Sequence, residues 1–77
     1  MKEKIIEILQ EVCPDVDFDN NDNLVDDGLL DSLAITDIIS SLGFEFDITI
    51  PYEEVIPENF NSVDSICKLV DKIKNNK

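Results

Sequence analysis

Three stretches of this chain of 77 residues set their apolar side chains three or four positions apart, and that period confines it to a small helical fold. In residues 2–13, Ile5, Ile6, Leu9, Val12 and Cys13 fall on one face, Lys4, Glu7 and Glu11 fall off it, and Pro14 stops the run. From Ser32 onward, Ile35, Ile38, Ile39, Leu42 and Phe46 make a second stripe, while Asp37, Ser40, Ser41 and Glu45 take the wet side. The third stripe holds Val63, Ile66, Cys67, Val70 and Ile73, with Leu69 widening it. Asn61 reads as its cap, Asp64 suits its first turn, and Lys68, Lys72, Lys74 and Lys77 suit its negative end. Helices this short are marginal alone, so the stripes must dock on one another.

One segment competes with this pattern. Phe44-Glu45-Phe46-Asp47-Ile48-Thr49-Ile50 alternates apolar and polar, as a strand does, and Gly43 offers a helix end before it. No second segment of similar quality is there to pair with it, and a lone strand leaves its backbone groups unpaired. The helix is therefore expected to run to about Phe46, with Asp47–Ile50 as an extended connection ended by Pro51. Glu53–Phe60 holds short pieces at most, with Val55, Ile56 and Phe60 facing inward. The expected fold is all-α: a small antiparallel bundle of three main helices plus one short helix, with a long first loop. It fills residues 1–77 as one domain, with helices near 2–13, 32–46, 57–60 and 62–75. A chain of this size buries about three fifths of its unfolded surface, so its core is small.

Eighteen acidic residues against six lysines give a formal charge of −12, which argues against nucleic acid and anionic membrane surfaces as partners. It favours partners with basic docking faces. Cys13 and Cys67 each border an apolar stripe and read as small core residues in a reducing compartment, although spacing leaves a disulfide between helices open. Without histidine or a Cys-x-x-Cys pair they make no zinc site. The N-terminus carries no long apolar run, so neither a signal peptide nor a membrane span is expected. The chain is expected to be cytoplasmic and monomeric.

The connection from Asp15 to Asp31 is dominated by aspartate and asparagine and punctuated by Phe18, Leu24, Val25, Leu29 and Leu30. Apolar residues at such intervals suit a loop pinned across a helix bundle. Asp15, Asp17, Asp19 and Asp26 resemble part of an EF-hand calcium loop, which makes a calcium-binding interaction protein a reading of a different class. The match is partial: Asn20 replaces the turn glycine, Asp22 stands where a hydrophobe belongs, and Gly28 falls where the exiting helix should be running. No nucleophile–base arrangement is present, so an enzyme is not expected.

Ser32 also reads in two ways. After Asp31 and before an apolar-periodic run, it is a plain helix start. Alternatively, its hydroxyl stands in water at a helix end whose free N–H groups and dipole favour an attached phosphodiester.

Gly28-Leu29-Leu30-Asp31-Ser32-Leu33, a following stripe that ends at Phe46-Asp47, and then Ile50-Pro51 resemble the acyl carrier protein family over nearly the whole chain. The resemblance implies a 4′-phosphopantetheine arm on Ser32, taken from coenzyme A by a phosphopantetheinyl transferase. Asp31 would contribute to that enzyme's magnesium ion, and the resting protein would hold no metal. Acyl or aminoacyl groups would ride on the arm as thioesters, from a loading (adenylating) enzyme to a downstream transferase or synthase. Leu30, Leu33, Asp37, Ser40, Ser41 and Phe44 are the expected docking residues. Fatty-acid-synthase carriers usually show consecutive glutamates late in the second helix, where this chain has Gly43 and Phe44. That departure leans towards D-alanyl or peptidyl carriers, with a fatty-acid or polyketide carrier as the alternative. An unmodified interaction module that keeps the fold without the arm is a third reading.

Overall fold

A computed structural model describes residues 1–18 and 21–75. Every regular element in it is helical: α1 (Lys2–Val12), α2 (Ser32–Phe46), a single 3-10 turn (Tyr52–Glu54), α3 (Pro57–Phe60) and α4 (Val63–Asn75). The architecture is the expected all-α bundle of three main helices and one short one, with a long first loop. Lys4 near the start of α1 pairs with Glu45 near the end of α2 at 3.2 Å, so these two helices run antiparallel. Lys2 and Asp64 tie the first turns of α1 and α4 together at 3.3 Å, and the Lys74 ammonium sits 5.6 Å from the centre of the Phe46 ring.

The core draws on all four helices and on the loops between them, but not on the 3-10 turn. Ile5, Ile8 and Leu9 come from α1, Ile38 and Leu42 from α2, Phe60 from α3, and Val63, Ile66, Leu69 and Val70 from α4. The loops add Phe18, Leu24, Leu30, Ile48 and Ile50. No buried side chain among the described residues is polar or charged. Three details differ from the sequence reading. Ile8, left out of the first stripe, is buried, because it lies one turn from Ile5 on the same face. Ile6, Val12 and Cys13 flank that face half-buried. Ile56 is 39 % exposed rather than turned fully inward.

The close of α2 explains why a strand-like pattern does not become a strand. Gly43 does not end the helix; its carbonyl accepts the N–H groups of both Asp47 and Ile48, the latter at 3.1 Å. Asp47 takes a left-handed conformation (φ 54°), and the chain then folds back so closely that a Cβ on Gly43 would meet the Ile48 carbonyl oxygen at 2.9 Å. After that turn Ile48 and Ile50 still alternate inward, but onto helices rather than a neighbouring strand.

Asn61 does not cap α4. Ser62 does, with its hydroxyl accepting from the Ser65 N–H at 3.0 Å and its carbonyl accepting from Ile66 at 3.1 Å. Asn61 is thereby free for a long-range task. Its side-chain oxygen accepts the N–H groups of Val25 and Asp26, its amide donates to the Asp26 carboxylate at 3.2 Å, and its own carbonyl accepts from Leu24 at 2.9 Å. The long loop is stapled at this point to the junction of α3 and α4.

Candidate functional site

The loop reaches α2 through a short turn fixed from several sides. Gly28 adopts φ 77°, a region closed to most side chains, and its N–H reaches the Val25 carbonyl at 3.0 Å. The Leu24 carbonyl accepts from both Leu29 and Leu30, at 2.9 and 3.0 Å. Leu30 then plunges into the core, 2 % exposed. This corrects its expected place on a docking surface: the loop can hold its course into α2 only by anchoring an apolar side chain there, and a buried side chain offers nothing to a partner.

Asp31 caps α2. Its backbone is extended, its Oδ1 accepts the Ala34 N–H at 2.8 Å, and its carbonyl accepts from Ile35 at 2.9 Å. Ser32 is thus the first helical residue, exposed, and its hydroxyl is not used as the cap. The Thr36 hydroxyl donates to the Ser32 carbonyl at 2.8 Å, which adds a bond to the first turn from the side-chain layer.

Beside Ser32 lies a groove of about 240 Å³ between α2 and the segment leading into α3. Ile35, Ile39, Val55, Ile56 and Phe60 make its walls apolar, and the Ser32 and Thr36 positions bring hydroxyls to its lining. Asn59 holds the segment in place by donating to the Glu54 carbonyl at 2.7 Å, and Lys72 of α4 pairs with the Glu54 carboxylate. The hydrogen bond from the Lys72 ammonium, with its charge, holds the Glu54 carboxyl below its ordinary pKa despite some opposing desolvation.

Down the outside of α2, Leu33, Asp37, Ser40 and Phe44 are spaced by one turn each and form a single exposed line. Leu33 is 78 % exposed and Phe44 91 %, so neither adds appreciably to the core. Ser41 sits to one side of that line, half-buried. Sequence reasoning passed over Tyr52, which is as exposed as Phe44; Pro51 before it was the available signal for a turn that projects it. It also missed what Asn61 does, since nothing in the local pattern points to partners across the chain.

Both cysteines are free and half-buried. Burial first, then the Asp31 and Asp37 carboxylates, push the Cys13 thiol upward. Burial, then Asp64, raises Cys67 as well. Among the described residues no group of three or more carboxylates or thiols could hold a metal ion, and Asp19 lies outside those residues. Leu24–Gly28 is a run of turns rather than the exiting helix of a calcium loop, and Asp26 is engaged by Asn61. No described helix is long and apolar enough to cross a membrane.

The family model described as "Phosphopantetheine attachment site" matches residues 3–70. The D-alanyl carrier protein of Streptococcus sanguinis (strain SK36) is 32% identical over 76 residues, which span 97% of this chain and 96% of that protein. The D-alanyl carrier protein of Lactobacillus acidophilus is 29% identical over 75 residues, spanning 96% and 95%, and that of Listeria welshimeri is 29% identical over a similar length. No solved structure gives a match.

Proposed function

The chain belongs to the phosphopantetheine-attachment-site family, and we propose that Ser32 is the residue to which its 4′-phosphopantetheine is joined. A member of this family is a carrier: it brings aminoacyl or acyl groups to other enzymes and does not itself transform them. The similarity to D-alanyl carrier proteins across nearly the full length supports an aminoacyl cargo, and D-alanine is the cargo we assign.

The observation that carries the Ser32 reading is the division of labour at the head of α2. Asp31 satisfies the helix end, so the adjacent serine presents its hydroxyl to solvent at the first helical position. A serine at that place suits a phosphodiester, because the helix dipole is positive there. When bound, the arm supplies a terminal thiol that holds the cargo as a thioester. The chain's own residues anchor and aim it. Ser32 Oγ is the attachment atom, and buried Leu30 fixes the direction from which it projects. Asp31 would contribute its carboxylate to the magnesium ion of the modifying enzyme.

With no histidine in the chain, the proton of the Ser32 hydroxyl must leave to a base on a phosphopantetheinyl transferase. The next partners are an adenylating enzyme that loads the arm and a transferase that unloads it. Leu33, Asp37, Ser40, Ser41 and Phe44 form the face we assign to these encounters. Such docking must be brief, and a charged carrier favours it by raising the rate of encounter more than the lifetime of the complex. Tethering then turns each transfer into a local event at raised effective concentration.

The test is co-expression with a broad phosphopantetheinyl transferase, followed by intact-mass measurement. The wild-type protein should gain the mass of one arm and Ser32→Ala should gain none. A wild-type protein that stays unmodified would overturn the assignment.

A further inference from the structure

A second groove, of about 400 Å³, opens between α1 and α2 and is bordered by Lys4, Glu7, Ile8, Glu11, Ser41 and Phe44. From it we infer that the α1 side of the molecule is a docking surface for a cationic amphipathic helix of a partner protein, with an apolar side chain against Phe44 and Ile8 and a basic one against Glu7 and Glu11. This goes beyond the exposed line of α2, since Glu7, Ile8 and Glu11 belong to the other helix.

Charge and shape together specify the occupant. Three carboxylates, Glu7, Glu11 and Glu45, share the rim with a single ammonium. That ammonium is already taken: Lys4 lies 3.2 Å from Glu45 and 3.7 Å from Glu7, and the hydrogen bond and charge of Glu45 raise its pKa. Glu11 has no ion pair among the described residues. The rim therefore stays negative after internal pairing. Ile8 gives the groove an apolar base, and the Phe44 ring stands in water at its edge, where it can gain contact only from another molecule. A matching segment presents a lysine or arginine one helical turn from a leucine-sized side chain, the groove-filling mode of an amphipathic helix. A second copy of this chain fits poorly, because each carries a formal charge of −12.

The experiment titrates the isotope-labelled protein with a synthetic amphipathic helix of leucine and lysine, followed by NMR. A scrambled peptide of the same composition serves as the control for charge alone. Shift changes should gather at Glu7, Ile8, Glu11, Ser41 and Phe44. Phe44→Ser should weaken binding by about tenfold, Glu11→Gln by about threefold, and the scrambled peptide should bind less well than the ordered one. Shifts spread over the acidic loop, unchanged binding by Phe44→Ser, or equal binding of the two peptides would each overturn the proposal. So would shifts at the groove that depend on protein concentration alone, which would put a second copy there. Ser32→Ala should bind the peptide as wild type does, so this test stands or falls separately from the attachment of the arm.

Discussion

The side-chain oxygen of Asn61 accepts the backbone N–H of Val25 at 2.9 Å, across 36 positions of sequence. The same oxygen takes the Asp26 N–H at 3.1 Å, so one side chain satisfies two successive donors of the acidic loop. Removing it strands the part-buried Val25 N–H and leaves the exposed Asp26 N–H to water. Asn61→Ala should destabilise the protein by about 1–3 kcal/mol in urea unfolding. Asn61→Asp keeps the acceptor but sets a second carboxylate against Asp26, and Asp26→Asn should restore much of the loss. Equal stability of the single and double variants would mean that the contact with Asp26 is incidental.

The cap and the proposed attachment point are separate residues, and stability measurements can separate them. Asp31→Ala removes the Oδ1 bond to Ala34 and should cost about 1 kcal/mol. Ser32→Ala should change stability by less than about 0.5 kcal/mol, since its hydroxyl does not cap the helix. The same two variants should differ in modification as well. Loss of the arm should be complete for Ser32→Ala and partial for Asp31→Ala, as read by intact mass.

Leu30 and Leu33 stand three positions apart and should behave as opposites. Leu30 is 2 % exposed, so Leu30→Ala should cost about 2–5 kcal/mol. Leu33 is 78 % exposed, so Leu33→Ala should leave the unfolding midpoint nearly unchanged while raising the KM of the loading reaction. A stability loss at Leu33 as large as that at Leu30 would remove Leu33 from the docking face.

Gly43→Ala should destabilise, although alanine favours helix by about 1 kcal/mol. The added methyl would meet the Ile48 carbonyl oxygen at 2.9 Å. Ile48 cannot move away freely, because its N–H is bonded to the Gly43 carbonyl. The expected net loss is about 1–3 kcal/mol, checked by thermal and urea unfolding.

The Lys72–Glu54 pair gives one limb of the pH dependence. The folded Glu54 carboxyl lies below its ordinary value of 4.5, with the Lys72 hydrogen bond as the leading cause. A depressed carboxylate pKa contributes stability that is present above the unfolded value and is lost as pH falls through the folded one. Wild type should therefore lose stability relative to Lys72→Met on acidification below about pH 4.5, and the two should run parallel above it. Parallel curves throughout would show that the pair is silent.

Much of this arrangement was legible in the residues, and the reasons are physical. Ile38 with Leu42, and Ile66 with Val70, recur at the helical period, and burial follows that period wherever a helix lies on a core. The Phe44–Ile50 alternation was ambiguous because a strand and a tight return after a helix both turn every second side chain inward. What decided it was Gly43, which lets the chain fold back at van der Waals range. At the candidate site, neighbouring short polar residues such as Asp31 and Ser32 compete for one cap, and local pattern does not say which wins. Asn61 was misread because its partners, Val25 and Asp26, lie far away in sequence; Leu30 fitted both the pinned-loop spacing and the docking motif, and its burial decides for the pin.

The depth at which Leu30 is held, two residues before the serine, has a mechanical consequence. A tether swings about its root, and a root clamped into the interior cannot wander. With the arm on Ser32, as proposed, the volume swept by the cargo is set chiefly by the length of the arm, and every partner meets the pivot at the same spot on the surface.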